Sequence, residues 1–152
     1  MTIASAVCSS FKTEVLRAIH NFTVSGSGGN AFKLALYTSS ANLGAATTAY
    51  ATNPGGGGNT EVANGNGYTT AGIALTSVTP ALDGTTACCD FADVSFTSAS
   101  FTANGCLIYN DTASGDPAVC TVAFGGDKTV SSGTFTIQFP AASASAAILR
   151  IA

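Results

Sequence analysis

The segment Thr134–Phe139, TFTIQF, followed by Pro140, decides the fold prediction for the whole chain. Its apolar and polar residues alternate strictly, as in a strand that buries one face. Proline lacks an amide hydrogen and therefore ends such a strand. The same period of two recurs in Phe32–Tyr37, FKLALY, which predicts a second half-buried strand.

Further short strands follow at regular spacing, separated by Gly, Asn and Asp residues that favour turns. Pro80 is expected to end one of them. The additional predicted strands are Ile73–Thr79, Thr86–Phe91, Ser100–Asn110, Ala118–Phe124 and Ile148–Ile151, and the predicted turns or loops are Asp83-Gly84, Asp111–Pro117 and Gly125–Lys128. This pattern predicts an all-β, mainly antiparallel fold, either a β-sandwich or a jelly roll.

A short N-terminal α-helix is predicted over Ser10–Asn21, because apolar residues recur there at four-residue spacing. Ser9 or Ser10 is suited to cap its first turn. No repeat and no linker divides the 152 residues, so we expect a single domain with a helical arm at 1–24 and a β-sandwich at 25–152.

The chain is poor in charge, and this limits what it can do. Only 9% of its residues are charged, against roughly 25% in ordinary soluble domains. Its net charge of −3 and its five scattered cations offer no surface for nucleic acid. No apolar run is long enough to span a membrane, and the first residues lack the basic region of a signal peptide. We therefore expect neither nucleic acid nor membrane as a partner, and synthesis in the cytosol.

The five cysteines, Cys8, Cys88, Cys89, Cys106 and Cys120, are an odd number. Reducing conditions in the cytosol keep thiols free. We interpret all five as small apolar residues in or near strands.

Motifs that would carry chemistry are weak in this sequence. The glycine run Gly55–Gly58 lacks the Lys-Ser/Thr of a phosphate-binding loop and is interpreted as a surface loop. Ser9 and Lys12 match a Ser-x-x-Lys nucleophile motif whose partner motifs are absent. Adjacent residues of a strand face opposite ways, so Cys88-Cys89-Asp90 with His20 makes a poor zinc site. We expect no catalytic residue, no cofactor and no metal, and therefore not an enzyme.

A sugar-binding module is an alternative from a different class. Such modules present exposed aromatic side chains as flat platforms. The chain has no tryptophan, so its four tyrosines, Tyr37, Tyr50, Tyr68 and Tyr109, would have to serve.

Several motifs together resemble a family of small structural proteins from tailed-bacteriophage virions. They begin with Ser10–Leu16 and His20-Asn21-Phe22 and extend over nearly the whole chain. The others are Phe32–Thr38, Gly67-Tyr68-Thr69, Asp90–Val94, Phe101-Thr102-Ala103, Leu107–Asp111, Phe124–Lys128 and Phe135–Pro140. The chain departs from the family pattern at Cys88, Cys89 and Cys106, and at Phe96 where a larger aromatic residue is expected.

The resemblance implies a role as a capsid cement, or decoration, protein. Such proteins usually form homotrimers on the outer capsid surface and contact the major capsid protein. A tail, baseplate or fibre β-module of the same virion is the alternative that the resemblance leaves open. Either role implies location in the virion after synthesis in the bacterial cytoplasm.

The N-terminal helix and the last strand are the expected sites of contact with neighbouring subunits or with the capsid. The last strand would add an edge strand, by β-augmentation, to its own or to an adjacent subunit. The residues concerned are Phe11, Val15, Ile19, Ile148, Leu149 and Ile151. The alternative left open is that both segments only cover the core of their own subunit.

Overall fold

Two antiparallel sheets and one short helix make up the fold in a computed structural model that describes residues 2–152. The larger sheet has the strand order β1-β7-β6-β2-β3 and the smaller one β4-β5-β8. The elements are β1 (Ala6–Val7), α1 (Ser9–Leu16), a 3₁₀ turn (Ser25–Ser27), β2 (Phe32–Tyr37), β3 (Ile73–Leu75), β4 (Ser77–Asp83), β5 (Thr86–Phe91), β6 (Val94–Asn110), β7 (Ala118–Ile137) and β8 (Leu149–Ile151). The predicted all-β, mainly antiparallel, sandwich-like fold with an N-terminal helix is confirmed.

A single long hairpin, β6–β7, dominates the larger sheet. It pairs from Val94 with Ile137 at its open end to Tyr109 with Ala118 next to the connecting loop. The predicted turn Gly125–Lys128 is wrong, because β7 continues through it. Between the pairs Ala103–Lys128 and Gly105–Ala123, β7 has four residues opposite a single residue of β6, so the glycines form a bulge and do not reverse the chain.

Strand β2 is buried on both faces, so the prediction of a half-buried strand was wrong. Five of its six residues are buried, and only Lys33 is partly exposed. The segment 38–72 packs on the second face, where Tyr37 Oη donates to Ala51 O at 2.8 Å. The same segment also pairs along the strand edge, since Val62 N–H donates to Leu36 O at 2.9 Å. These contacts are non-local and leave no periodic signal in the strand itself.

Pro80 lies inside β4 and does not end it, contrary to the prediction. Strand β4 is at the edge of its sheet, and its register with β5 shifts between Val78 and Ala81. An edge position with a bulge tolerates a residue that cannot donate a hydrogen bond. The chain instead changes sheets at Thr76, between β3 and β4.

Helix α1 is eight residues long and stops at Leu16, five residues before its predicted end. Ala18 adopts a left-handed φ of 58°. Its N–H donates to Val15 O at 3.1 Å, and Ile19 N–H donates to Glu14 O at 3.0 Å. This is the Schellman pattern that terminates helices, here with alanine where glycine is usual.

The start of α1 also differs from the prediction, since neither Ser9 nor Ser10 is the N-cap. Cys8 holds that position and makes no side-chain capping bond. Its N–H donates to Val119 O at 3.0 Å, and Ser9 N–H donates to Ala45 O at 2.8 Å. The pairing of β1 with β7 therefore leads directly into the helix.

Aromatic rings join the two sheets. Phe22 and Phe32 stack with ring centroids 4.5 Å apart, and Phe91 of the smaller sheet lies 5.7 Å from Phe32. His20 packs against Phe11 at 4.9 Å on the helix side of this cluster. The N-terminal segment is thereby part of the core.

Candidate functional site

An apolar groove lies between helix α1 and the smaller sheet, and we call it the α1–β8 groove. Its volume is about 740 Å³. Residues from α1 form one side, and β5, β8 and Pro80 of β4 form the other. The lining residues are Val7, Phe11, Lys12, Val15, Leu16, Phe22, Pro80, Thr86–Cys89, Ala144 and Ile148–Ala152.

Five of the six predicted interface residues meet in this groove. Phe11 and Val15 line it from the helix, and Ile148, Leu149 and Ile151 line it from the last strand. Sequence positions more than 130 residues apart thus form one surface.

Ile19 does not belong to the groove, which corrects its predicted place on the same helix face. The helix has already ended, so four-residue spacing no longer carries this side chain onto the face of Phe11 and Val15. Ile19 is half-buried, and its carbonyl oxygen accepts a hydrogen bond from Asn110 Nδ2 at 3.2 Å.

The rim of the groove exposes large apolar side chains to solvent. Leu16 is 87% exposed and Ile151 is 67% exposed. Phe11 and Leu149, by contrast, are buried and cover the core of their own chain.

Two cations at the rim were not predicted from the sequence. Lys12 and Arg150 line the groove, and no acidic side chain of the described chain does so. Within residues 2–152 the one lysine or arginine that lies in ion-pair distance of a carboxylate is Lys33, beside Asp111, so neither rim cation is paired with an acidic side chain. Arg150 Nη1 donates to Ala144 O at 2.9 Å, which orients the guanidinium. Nothing local in the sequence marks these two positions, because α1 and β8 meet only in the folded chain.

His20 is held in a structural network away from solvent. Its Nε2 lies 2.9 Å from Glu14 Oε2, and its Nδ1 lies 3.2 Å from Asn110 Nδ2. Asn110 Oδ1 accepts backbone N–H bonds from Thr112 and Ala113, which assigns its Nδ2 as the donor toward His20. His20 Nε2–H donates to the Glu14 carboxylate, and the two hydrogens of Asn110 Nδ2 face three acceptors: Ile19 O at 3.2 Å, His20 Nδ1 at 3.2 Å and Asn30 Oδ1 at 3.0 Å. This arrangement fastens the end of α1 to the end of β6.

The cysteines are free thiols, and Cys8, Cys88, Cys106 and Cys120 are buried while Cys89 is half-buried. Burial raises the pKa of Cys8 to about 11 and the pKa of Cys106 to about 12. Such thiols stay protonated at neutral pH and are poor nucleophiles. The prediction that the cysteines serve as small apolar residues is confirmed for the four buried ones.

No three His, Cys, Asp or Glu side chains within residues 2–152 are grouped so that they could hold a metal ion. Asp90, beside Cys88 and Cys89 in sequence, is 1% exposed. Its Oδ1 accepts from Phe91 N–H at 2.9 Å, while Oδ2 has no hydrogen-bond partner among the described residues. Burial raises the pKa of this carboxyl above its usual range.

The four tyrosines do converge, but in the interior. Tyr37, Tyr68 and Tyr109 are at most 2% exposed, and Tyr50 stacks on Tyr109 with ring centroids 4.7 Å apart. Buried Glu61 accepts from Tyr68 Oη at 2.6 Å, from Tyr50 Oη at 2.8 Å and from Ala71 N–H at 2.7 Å. Burial, with the neighbouring Glu61, raises the pKa of Tyr68 and Tyr50 above their usual range. The cluster is a structural network and not an exposed sugar platform.

Comparison of the chain with protein-family models, with curated proteins and with solved structures finds no match. No helix within the described residues is long and apolar enough to cross a membrane. The geometry of the α1–β8 groove is therefore the main structural guide to function.

Proposed function

We propose that the chain is a capsid cement protein of a tailed bacteriophage, which binds the outer capsid surface as a homotrimer and stabilises the shell against the pressure of packaged DNA. The α1–β8 groove carries this proposal. It gathers five independently expected contact residues on one surface and leaves Leu16 and Ile151 largely exposed. Exposed apolar side chains around a groove are typical of interaction sites.

The remaining surface favours protein contact at low cost of desolvation. On the outer part of the β6–β7 hairpin, Ser95 Oγ lies 2.8 Å from Thr136 Oγ1, and Thr102 Oγ1 lies 2.8 Å from Thr129 Oγ1. These exposed cross-strand pairs are hydroxyls where charged residues are common on other proteins. Burying these hydroxyl groups against a neighbouring protein does not require the desolvation of a charged group.

Cement function follows physically from many modest contacts. A trimer that spans adjacent capsomers adds buried area across joints that internal pressure would open. Each specific interface needs at least about 1,000 Å² of buried surface. Repetition over the shell multiplies the contact energy through avidity.

Copy number in purified virions tests this proposal against the tail alternative. Hundreds of copies per particle, counted by quantitative gel densitometry, support a capsid location. A handful of copies contradicts it and favours the tail, baseplate or fibre module.

A matched pair of leucine variants tests the role of the groove. Leu16 lines the groove, whereas Leu82, 73% exposed, lies outside it. We expect Leu16→Ser to weaken binding to particles stripped of this protein by about tenfold per subunit, since an interface leucine contributes about 1.5 kcal/mol. Leu82→Ser should bind like the unmodified protein. Equal binding of both variants contradicts the groove as contact surface.

A further inference from the structure

The charge at the groove rim restricts what can occupy it. Lys12 and Arg150 contribute two positive charges beside an apolar lining that includes no acidic side chain, and neither cation forms a salt bridge within residues 2–152. The Asp83 carboxylate, outside this lining, accepts from Ala144 N–H at 2.7 Å. Where Ala152 carries the terminal carboxylate, the rim is still positive by one charge. An apolar occupant with an anionic group complements this surface better than a neutral or cationic one.

We propose that the α1–β8 groove receives an apolar segment of the partner protein that carries a carboxylate, and that Lys12 and Arg150 pair with that carboxylate. This inference rests on the proposed function, since it specifies the part of the capsid protein that is bound. Apolar side chains of the segment lie against Val15, Leu16 and Ile151.

A peptide segment fits the groove better than a lipid does. Strand β8 is the last strand of its sheet and has β5 as its only strand partner among residues 2–152. Its other edge offers main-chain hydrogen bonds to an extended chain, a form of recognition that a lipid cannot use. The Arg150 guanidinium, oriented by Ala144 O, can bind a carboxylate with two parallel hydrogen bonds.

A fluorescent probe tests the groove without any partner. Anilinonaphthalene sulfonate combines apolar rings with an anion, and Nile red is an apolar dye without charge. We expect one sulfonate probe to bind per folded chain. The double variant Lys12→Gln/Arg150→Gln should bind it about 4- to 25-fold more weakly, at about two- to fivefold per exposed charge.

The control variant Arg17→Gln/Lys128→Gln removes the same charge from residues outside the groove. It should keep the affinity for the sulfonate probe, and both variants should keep the affinity for Nile red. Absence of sulfonate binding to the folded chain, or equal losses in the two double variants, overturns the inference.

Binding to stripped particles separates this inference from the proposed function. If the unmodified chain fails to bind, the cement function is wrong, whatever the probe shows. If it binds and Lys12→Gln/Arg150→Gln binds equally well with the same salt dependence, the carboxylate-bearing segment is wrong. If this variant instead changes only the oligomeric state measured by light scattering, the occupant is a second copy, which also overturns the inference.

Discussion

Replacing the buried residue Glu61 by leucine should destabilise the fold far more than the replacement of an exposed acid. Glu61 is 3% exposed and accepts hydrogen bonds from Tyr68, Tyr50 and Ala71. Leucine leaves these three donors without their acceptor. Each buried unsatisfied donor costs about 1–3 kcal/mol, while half-buried Tyr50 can turn to water and costs less.

The net loss should be about 2–4 kcal/mol after the apolar gain from leucine, against a total of about 5–15 kcal/mol for a domain of this size. This corresponds to a fall in Tm of about 5–15 °C. Glu61→Gln keeps an oxygen for Tyr68 and Ala71 and presents its amide group to Tyr50 Oη, which can also accept. We expect this variant to lose about 1 kcal/mol.

Urea unfolding followed by tyrosine fluorescence provides the measurement, because the chain has four tyrosines and no tryptophan. Asp127 is an exposed acid whose Oδ1 accepts from Asn104 Nδ2 at 2.8 Å. Asp127→Asn is the control and should stay within about 0.5 kcal/mol of the unmodified chain.

A double-mutant cycle with Tyr68→Phe sharpens the test. Tyr68 Oη also accepts from Leu36 N–H at 3.0 Å, so Tyr68→Phe alone destabilises. The combined variant should lose less than the sum of the single losses, since it removes the hydroxyl that Glu61→Leu leaves unpaired. Additive losses, or a Glu61→Leu variant as stable as the unmodified chain, refute the network.

Three further perturbations probe other parts of the fold. Gly72→Ala should cost about 3 kcal/mol or more, because φ is +83° and the new Cβ would lie 1.9 Å from Leu34 O; Gly26→Ala, with open space around it, is the control in thermal melting. Above pH 9 the free energy of unfolding should fall, because unfolded thiols ionise near 9.0 while the folded chain holds the pKa of Cys106 at about 12. This thiol alone should lower the free energy of unfolding by about 1.4 kcal/mol per pH unit. Cys106→Ala should therefore make the plot of unfolding free energy against pH, measured by urea unfolding, less steep, and equal slopes for the variant and the unmodified chain would contradict this prediction. The change in the free energy of unfolding caused by Asp90→Asn should be more favourable at pH 7 than at pH 3. Because the pKa of Asp90 is raised in the folded chain, protonated Asp90 stabilises the fold below pH 3.8, and this stabilisation is lost as the pH rises through the folded pKa. Unfolding at both pH values checks the sign.

The local sequence pattern predicted the strands whose tertiary contacts agree with that pattern. Thr86–Phe91 was predicted to the residue, with the turn residues Asp83-Gly84 just before it, and the last strand was predicted to within one residue. The predictions failed where tertiary contacts outweigh local preference. Gly125-Gly126 favours a turn, yet β7 continues to pair with β6 beyond these glycines and absorbs them as a bulge.

The segment 38–72 shows the same limit more strongly. Its composition predicts loops, which it has, but not that it covers the second face of β2. That role depends on Glu61, a single acid with no distinctive local pattern. Its three donors come from Tyr50, Tyr68 and Ala71, and only folding brings them together.

The candidate site was predictable in its apolar part and not in its charged part. Apolar residues at helix and strand spacing identified Phe11, Val15, Leu149 and Ile151 without knowledge of how the two ends of the chain meet. Lys12 lies one residue beyond Phe11 and would ordinarily be assigned to a solvated face. The role proposed for Lys12 depends on its place beside Arg150, which β8 brings to the same rim.

Deleting the N-terminal arm would therefore be a poor test of the contact surface. Residues 1–22 include the buried side chains of Cys8, Phe11 and Phe22, so their removal would open the core and the groove together. Substitutions at exposed rim residues, such as Leu16 and Lys12, change the contact while leaving the buried residues in place. A loss of particle binding by these variants with an unchanged free energy of unfolding would separate recognition from stability, which the deletion cannot do.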